Sequence, residues 1–236
     1  MAERWHDAFV LHRRPWRETS LWLEVFTRDH GKVALLAKGA RKGKRQSATY
    51  LQPFQPLKIR WHGKGDLKTL TGAEPCASLP ALSGKGLYCG FYLNELLAYL
   101  THRHDPHPRL FLRYQETLRV FANEKAMEAC LRLFEMDLLM EIGYGLILDH
   151  EVKYQEPILP QARYRYEPDA GPYLDPQGNV CGITLLALAD RQLDNPQVLR
   201  EAKKLLRQVI DYRLEGRPLK SRALFQQLIT QGNHET

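Results

Sequence analysis

The spacing of apolar residues changes near residues 75–86, and this change constrains the fold more than any other feature of the chain. Before it, apolar and β-branched residues form short runs separated by glycine-containing turns. After it, apolar residues recur every three to four positions. Because strands repeat every two residues and helices every 3.6, the two parts need different architectures. The sequence therefore predicts an α+β protein, with a β domain first and a mostly α-helical domain second.

Two hairpins are predicted in the first part. Residues 19–26 and 32–37 read as strands joined by a turn, and residues 57–61 and 67–71 repeat the pattern around a glycine-rich turn. Several short strands with such turns, packed into so short a stretch, are typical of a small closed barrel. Closure leaves no exposed strand edges. We therefore expect residues 1–79 to be a barrel domain.

The second part, residues 80–236, is predicted to be a helical domain. Helical spacing is clearest over residues 126–142, whose acidic residues are expected on a solvated face. The same spacing recurs in three further segments, residues 87–100, 110–121 and 198–209. Ser221 is a candidate N-cap for a last helix over 222–229. Residues 150–182 lose the helical period and contain several prolines, which predicts a small irregular or β-hairpin insertion.

Positive charge is concentrated at the start of the chain. Residues 1–70 contain 15 Lys or Arg and 6 Asp or Glu, a net of +9, whereas the remainder contains 19 and 21, a net of −2. Such asymmetry indicates a polyanion-binding module joined to a nearly neutral one. No apolar run approaches the roughly 20 residues that a membrane span needs. The start of the chain does not resemble a signal peptide, so a cytoplasmic protein with no membrane partner is expected.

A search for catalytic motifs predicts neither an enzyme nor a metal site. The four cysteines are scattered, and no nucleotide-binding loop, nucleophile elbow or H-E-x-x-H motif occurs. The cluster of His102, His104, Asp105 and His107 lies at a predicted helix end, next to two prolines and with no second ligand set, so a solvated loop between helices is favoured over a metal site. No catalytic residue, metal or other cofactor is therefore predicted.

Residues 38–45 form a basic loop, with five cations and two glycines in eight positions. Lys and Arg beside a phosphate backbone release counterions, which supplies most sequence-independent affinity for DNA. Cations next to Trp16 add to this module, and an OB-type barrel combines a basic groove with aromatic side chains in the same way. The candidate DNA-binding residues are Arg13, Arg14, Arg17, Lys38, Arg41, Lys42, Lys44, Arg45 and Lys64.

Several segments resemble one protein family in the correct order along almost the whole chain. They are AFVLHRRPWRETS (8–20), VALLAKGAR (33–41), LQPF (51–54), YLNELL (92–97), LMEIGYG (139–145) and PLKSR (218–222). Together they are similar to the recombination mediators of the RecO family, in its proteobacterial form. The resemblance implies an N-terminal OB-fold, a helical C-terminal domain and a small inserted region at 150–182. Many relatives carry a four-cysteine zinc site in that insertion; here it contains only Cys181, so zinc is not expected.

The resemblance also implies a function and partners. These are binding of single- and double-stranded DNA, annealing of complementary strands and, with RecR, assistance in loading RecA onto gaps coated by the single-stranded-DNA-binding protein SSB, in the RecF pathway. The acidic C-terminal tail of SSB would dock on the helical domain. An acidic tail that ends in an apolar residue needs a cation beside an apolar groove. The candidates are Arg132, Lys203, Lys204 and Arg207.

Two other functions remain open at this point. An OB barrel with a basic loop could bind RNA, as a ribosome-associated factor does. An uncharacterised nuclease is the third possibility, and the motif search argues against it. Competition between single-stranded DNA and RNA would distinguish the first alternative, and metal-dependent loss of strand the second.

Overall fold

The fold is described from a computed structural model, which describes residues 4–42, 47–76, 79–123 and 126–225. The chain forms two compact units. The first contains Met1–Lys125 and Leu219–Thr236, and the second contains Ala126–Pro218. The domain boundary expected at 79/80 remains a prediction. None of the helices within the described ranges is long and apolar enough to span a membrane.

The first unit begins with a closed five-stranded barrel, which confirms the predicted fold class. Its strands are β1 (His6–Trp16), β2 (Ser20–Thr27), β3 (Gly31–Ala37), β4 (Pro56–His62) and β5 (Leu67–Pro75), with a short helix α1 (Ser47–Tyr50) between β3 and β4. The order around the barrel is β1-β2-β3-β5-β4, and β4 closes on β1. Only the β3–β5 pairing is parallel. Both predicted hairpins are present, as β2–β3 and β4–β5.

Alternating apolar side chains fill the barrel. Val10, Leu23, Leu35 and Ile59 are among those that pack inside, each at most 1% exposed. Burial of one such side chain contributes about 1.5–3 kcal/mol. A register shift in β1 between Val10 and His12 bends this long strand, so that it pairs with β4 at its start and with β2 along most of its length.

Two helices of the first unit pack on the outside of the barrel. They are α2 (Gly84–Leu100) and α3 (Pro108–Ala122). Phe9 on β1 lies 5.3 Å from Phe111 and 5.0 Å from Tyr114 of α3, measured between ring centroids. Buried Asn94 of α2 donates to Leu11 O at 2.9 Å and accepts from the Tyr114 hydroxyl at 2.6 Å. These contacts explain why α2 and α3 belong to the same compact unit as the barrel.

The last helix differs from its prediction at the N-terminus. It begins at Lys220, so Ser221 lies in its first turn and is not the N-cap. The carboxylate of Glu95 on α2 accepts instead from the backbone N–H groups of Lys220 at 3.0 Å and Ser221 at 2.8 Å, and also from the Ser221 hydroxyl. A helix N-terminus favours such a negative group. Residues 226–229 of the predicted helix lie outside the described residues.

The second unit contains three helices and a small sheet. The elements are α4 (Met127–Glu141), β6 (Arg163–Glu167), β7 (Gly171–Leu174), β8 (Val180–Cys181), α5 (Gly182–Ala189) and α6 (Pro196–Arg213). The predicted insertion therefore contains a three-stranded sheet in the order β7-β6-β8. The tyrosines of β6 anchor it, because the hydroxyls of Tyr164 and Tyr166 accept backbone N–H groups from Leu159 and Ile147. Burial raises the pKa of Tyr166 to about 12.

One expectation about α4 is wrong. Glu135, expected on a solvated face, is fully buried, and its carboxylate lies 3.0 Å from the guanidinium of Arg132, which is itself only 6% exposed. A carboxylate enters a protein interior when an opposite charge compensates it. The i, i+3 spacing of this pair therefore holds both charges inside the unit.

Candidate nucleic-acid interface

Three of the predicted DNA-binding residues line one concave surface of the barrel. Arg13, Arg14 and Arg41 surround a depression of about 470 Å³. The remaining lining residues are Pro15, Leu21, Thr49 and Gln52. We call this surface the cationic groove. Three guanidinium groups around one concavity form a site suited to phosphate oxygens, because the planar fork of arginine matches their geometry.

The register of the β1–β2 hairpin positions Arg14. This residue pairs directly with Trp22 across the two strands. Its guanidinium carbon lies 4.7 Å from the centroid of the Trp22 ring and 5.8 Å from that of Trp16. The indole rings hold the cation by a cation–π interaction without neutralising it. The exposed Arg14 side chain therefore keeps its full positive charge at the groove.

Arg41 is attached to the turn between β1 and β2. Its backbone N–H donates to Thr19 O at 2.8 Å, and its guanidinium donates to Arg17 O at 3.3 Å. Arg17 has a φ of 51°, in the left-handed region, which turns its carbonyl towards Arg41. Arg13 donates to Leu51 O at 3.4 Å. Backbone carbonyls thus fix Arg13 and Arg41, and neither Arg14 nor Arg41 forms an ion pair with a described carboxylate.

The other predicted DNA-binding residues divide into three groups. Lys38 and Lys42 are exposed in the turn that leads to the groove, as is Arg17 on the adjacent turn. Lys64 is exposed in the β4–β5 turn. Because β5 runs parallel to β3, that turn lies at the end of the barrel where β3 begins, away from the groove. Lys44 and Arg45 lie outside the described residues.

The sequence did not single out the uncharged groove residues Thr49 and Gln52. They follow the basic loop in the chain and line the groove together with the arginines. Two signals could have found them, namely their position between the cationic run and a strand and, for Gln52, its place in the segment LQPF. Their hydroxyl and amide groups can donate to phosphate oxygens, as such side chains commonly do at nucleic-acid interfaces.

The four cations predicted to contact an acidic tail lie in the second unit and have different environments. Arg132 is buried with Glu135. Lys203 and Arg207 are exposed on α6 and pair with Glu128 at 3.1 Å and Asp211 at 3.5 Å. Lys204 is exposed on the same face.

The sequence reasoning missed Arg200 on this helix. It is exposed and precedes Lys203, Lys204 and Arg207 by three, four and seven positions, so the four cations form one stripe. The helical spacing alone could have identified it. We call these four residues the α6 stripe.

The candidate metal positions are engaged in other contacts. His107 Nε2 lies 3.4 Å from Asp105, and His104 Nε2 lies 3.4 Å from Lys68. This loop is not fully solvated, because His104 N donates to Lys32 O and His107 is buried. Within the described ranges, no group of three His, Cys, Asp or Glu residues is arranged to hold a metal ion.

A zinc site in the insertion does not fit the residues present. Cys181 Sγ lies 3.2 Å from Arg163 Nη1 and 3.3 Å from Glu201 Oε1. Glu201 also accepts from Cys181 N–H at 3.0 Å and from the Thr184 hydroxyl at 2.7 Å. Partial burial raises the pKa of Glu201, but these hydrogen bonds outweigh it and leave that pKa below its ordinary value. A carboxylate therefore connects α6 to the start of α5 by hydrogen bonds.

Comparisons with known proteins place these features in a family. Residues 1–79 match the family model described as Recombination protein O N terminal, and residues 82–223 match Recombination protein O C terminal. A DNA repair protein RecO from Methylococcus capsulatus is 49% identical over 222 residues, which cover 92% of this chain and 91% of that protein. The RecO proteins of Nitrosococcus oceani and Azoarcus sp. are 46% and 44% identical, with at least 94% of each chain covered.

Proposed function

Because this chain belongs to the RecO family of DNA repair proteins, we propose that it binds single- and double-stranded DNA through the cationic groove and anneals complementary strands. With RecR as partner, it would help load RecA onto gaps coated by SSB. It would act without a catalytic centre, by neutralising phosphates and holding strands. Annealing requires such neutralisation, since two phosphate backbones must approach each other.

The observation that carries this proposal is the convergence of Arg13, Arg14 and Arg41 on one concavity. The Trp22 ring holds Arg14 in place, and a backbone carbonyl holds Arg41. Neither contact compensates the positive charge of the arginine. A phosphate that enters the groove would therefore not have to displace a carboxylate from either residue.

The test is the salt dependence of DNA binding. For single strands, the logarithm of the binding constant falls with the logarithm of salt concentration by about 0.7 for each phosphate contact. The double variant Arg14→Ala, Arg41→Ala should lower that slope by about 1.4 and weaken binding at low salt. An unchanged slope would remove the groove from the binding surface.

The matched control is Lys203→Ala with Arg207→Ala. It removes the same two charges from the α6 stripe, so the net charge of the chain changes equally. Binding to naked DNA should stay close to that of the unaltered protein. If both double variants weaken binding equally, only overall charge matters and the groove proposal fails.

The annealing function needs a separate assay with complementary oligonucleotides coated by SSB. The unaltered protein should anneal them, and the groove variant should not. Failure of the unaltered protein would leave only a DNA binder. Preference for RNA of equal length would favour the ribosome-associated alternative, and metal-dependent strand loss in a clean preparation would favour a nuclease.

The acidic tail of SSB is proposed to dock on the second unit. The α6 stripe offers exposed cations, and Lys204 among them forms no ion pair with a described carboxylate. Arg132 stays a candidate, but a tail would have to reach a guanidinium that is 6% exposed and paired with Glu135. In a titration with a tail peptide, Lys204→Ala should weaken binding, and unchanged affinity would remove the stripe from the docking site.

A further inference from the structure

A second cavity lies where strands β3 and β5 separate. Their ladder ends at the pair Leu36 and Thr69, after which β3 turns away at residues 38–40 and β5 continues to Pro75. The space between them has a volume of about 390 Å³. This is within the range of about 300–1,000 Å³ that is common for sites of small organic groups.

One wall of the cavity is a stacked pair of flat side chains. The guanidinium carbon of Arg60 lies 4.9 Å from the centroid of the Trp5 ring. The register that pairs His6 with Ile59 brings Trp5 beside Arg60, and Arg60 pairs in turn with Gly72 on β5. A Cβ at Gly72 would lie 2.6 Å from Arg60 Nε and 3.0 Å from Trp5 Cη2. The missing side chain therefore allows both flat groups to lie against β5.

The remaining lining mixes aromatic and hydrogen-bonding groups. Tyr50 of α1, Lys38 and Glu74 contribute to it. The Lys38 ammonium and the Glu74 carboxylate can form hydrogen bonds with an occupant, so the cavity favours an occupant with hydrogen-bonding edges over an aliphatic one. A flat heterocycle with polar edges meets both requirements.

The cavity is adjacent to the cationic groove along the chain. Within the basic loop, Ala40 lines the cavity and Arg41 lines the groove. In the segment that follows the loop, Tyr50 lines the cavity and Thr49 lines the groove. Residues 40–41 and 49–50 therefore separate the cationic groove from the Trp5–Arg60 cavity.

We propose that this cavity binds one unstacked nucleobase of a single strand whose phosphates lie in the cationic groove. The inference rests on the proposed DNA binding and adds the path of the strand. A base within a duplex is paired and stacked, so it cannot enter, and the cavity selects single strands. The bound base is unstacked from its neighbours but stays attached to the strand. Once it leaves the cavity, it can pair with a complementary strand.

The experiment compares a mixed-sequence single strand with an abasic strand of equal length and charge. The unaltered protein should bind the base-containing strand about tenfold more tightly, since bases stack on aromatic groups with an energy of this order. Trp5→Ala should abolish the difference, and Trp5→Phe should retain most of it. Affinity for the abasic strand should not change, because the groove is intact.

Two glycines provide a matched pair of variants. Gly72→Ala should push the Arg60 side chain into the cavity and abolish the preference for bases, whereas Gly65→Ala, whose Cβ would meet nothing within 4 Å, should keep it. The three atoms nearest to the added Cβ belong to the side chains of Arg60 and Trp5 and none to the backbone, so Gly72→Ala should still fold. It remains decisive if Trp5→Ala does not fold.

The outcomes separate this inference from the proposed function. A preference for bases that persists in Gly72→Ala and Trp5→Ala would overturn the cavity proposal, as would equal binding of both strands by the unaltered protein. Cavity variants that lose a protein partner while keeping the preference for bases would assign the cavity to a protein instead. No binding of either strand by the unaltered protein would refute the proposed function itself.

Discussion

Positive charge serves different purposes in the two units. At the barrel, Arg14 and Arg41 are fixed by indole rings and a backbone carbonyl, and their charge faces solvent uncompensated. In the second unit, Arg132 is paired with a buried carboxylate, and Arg191 forms an ion pair with Asp137 at 2.8 Å. The number of arginines in a segment thus says little about binding. What matters is whether a carboxylate or a neutral acceptor holds each guanidinium.

Among the variants that test this difference, Arg132→Ala should have the largest effect. It would leave the Glu135 carboxylate buried without its arginine, and breaking a buried pair in this way costs about 3–5 kcal/mol. The free energy of unfolding, measured by urea denaturation, should fall by that amount. DNA affinity of the folded fraction should not change.

A second variant separates a structural Arg132 from a tail-binding one. Arg132→Met combined with Glu135→Leu removes both charges and should recover most of the stability, because apolar residues of similar volume replace buried pairs well. If Arg132→Ala is as stable as the unaltered protein, the guanidinium is not needed to compensate Glu135. Arg132 would then not be an example of a cation whose role is to compensate a buried carboxylate.

Removal of a buried polar group from the barrel-containing unit should lower the free energy of unfolding by less than Arg132→Ala does. Asn94→Ala breaks neutral hydrogen bonds with Leu11 O and the Tyr114 hydroxyl. Leaving such groups unsatisfied costs about 1–3 kcal/mol, below the figure for a broken ion pair. Urea denaturation checks this, with the exposed Asn123→Ala as control, since the side chain of Asn123 donates to Arg119 O on the surface. A loss larger than that of Arg132→Ala would reverse the expected order.

The smallest expected effect is a difference in pH dependence. Burial and the nearby His30 lower the pKa of His6 in the barrel from its ordinary value of 6.5. The unfolded chain therefore binds this proton more readily, so the stability that His6 contributes is complete above pH 6.5 and is lost as pH falls towards the folded pKa. The pKa of Glu201 is also lowered, so its contribution to stability is likewise lost as pH falls. That loss begins only below the ordinary pKa of 4.5.

The pH test compares melting temperatures at about pH 7.5 and about pH 5.5, a range in which His6 titrates and Glu201 does not. His6→Gln should reduce the loss of stability between these two values, and Glu201→Gln should leave that loss unchanged. An identical pH response of His6→Gln and the unaltered protein would show that burial does not perturb this histidine.

The sequence by itself determined the architecture. The change from alternating to helical spacing predicted the barrel and the helices, since burial of apolar side chains depends on local periodicity. The apolar face of α6 is buried at the predicted positions Val198, Ala202, Leu205 and Val209. Net charge located the basic module because it requires only counting. The ordered segments identified the family, which the comparisons confirm.

Only the tertiary structure decided which charges are available to a ligand. Arg14 and Arg132 are both candidate ligand-binding arginines in the sequence, which does not show whether either guanidinium is accessible. Strand register places Arg14 opposite Trp22, whereas helix packing buries Arg132 with Glu135. Likewise, Trp5 and Arg60 are far apart in the chain and meet only through strand pairing. Contacts between residues that are distant in the chain depend on how strands pair and helices pack in the whole fold. The local spacing of residues in the sequence does not specify that packing.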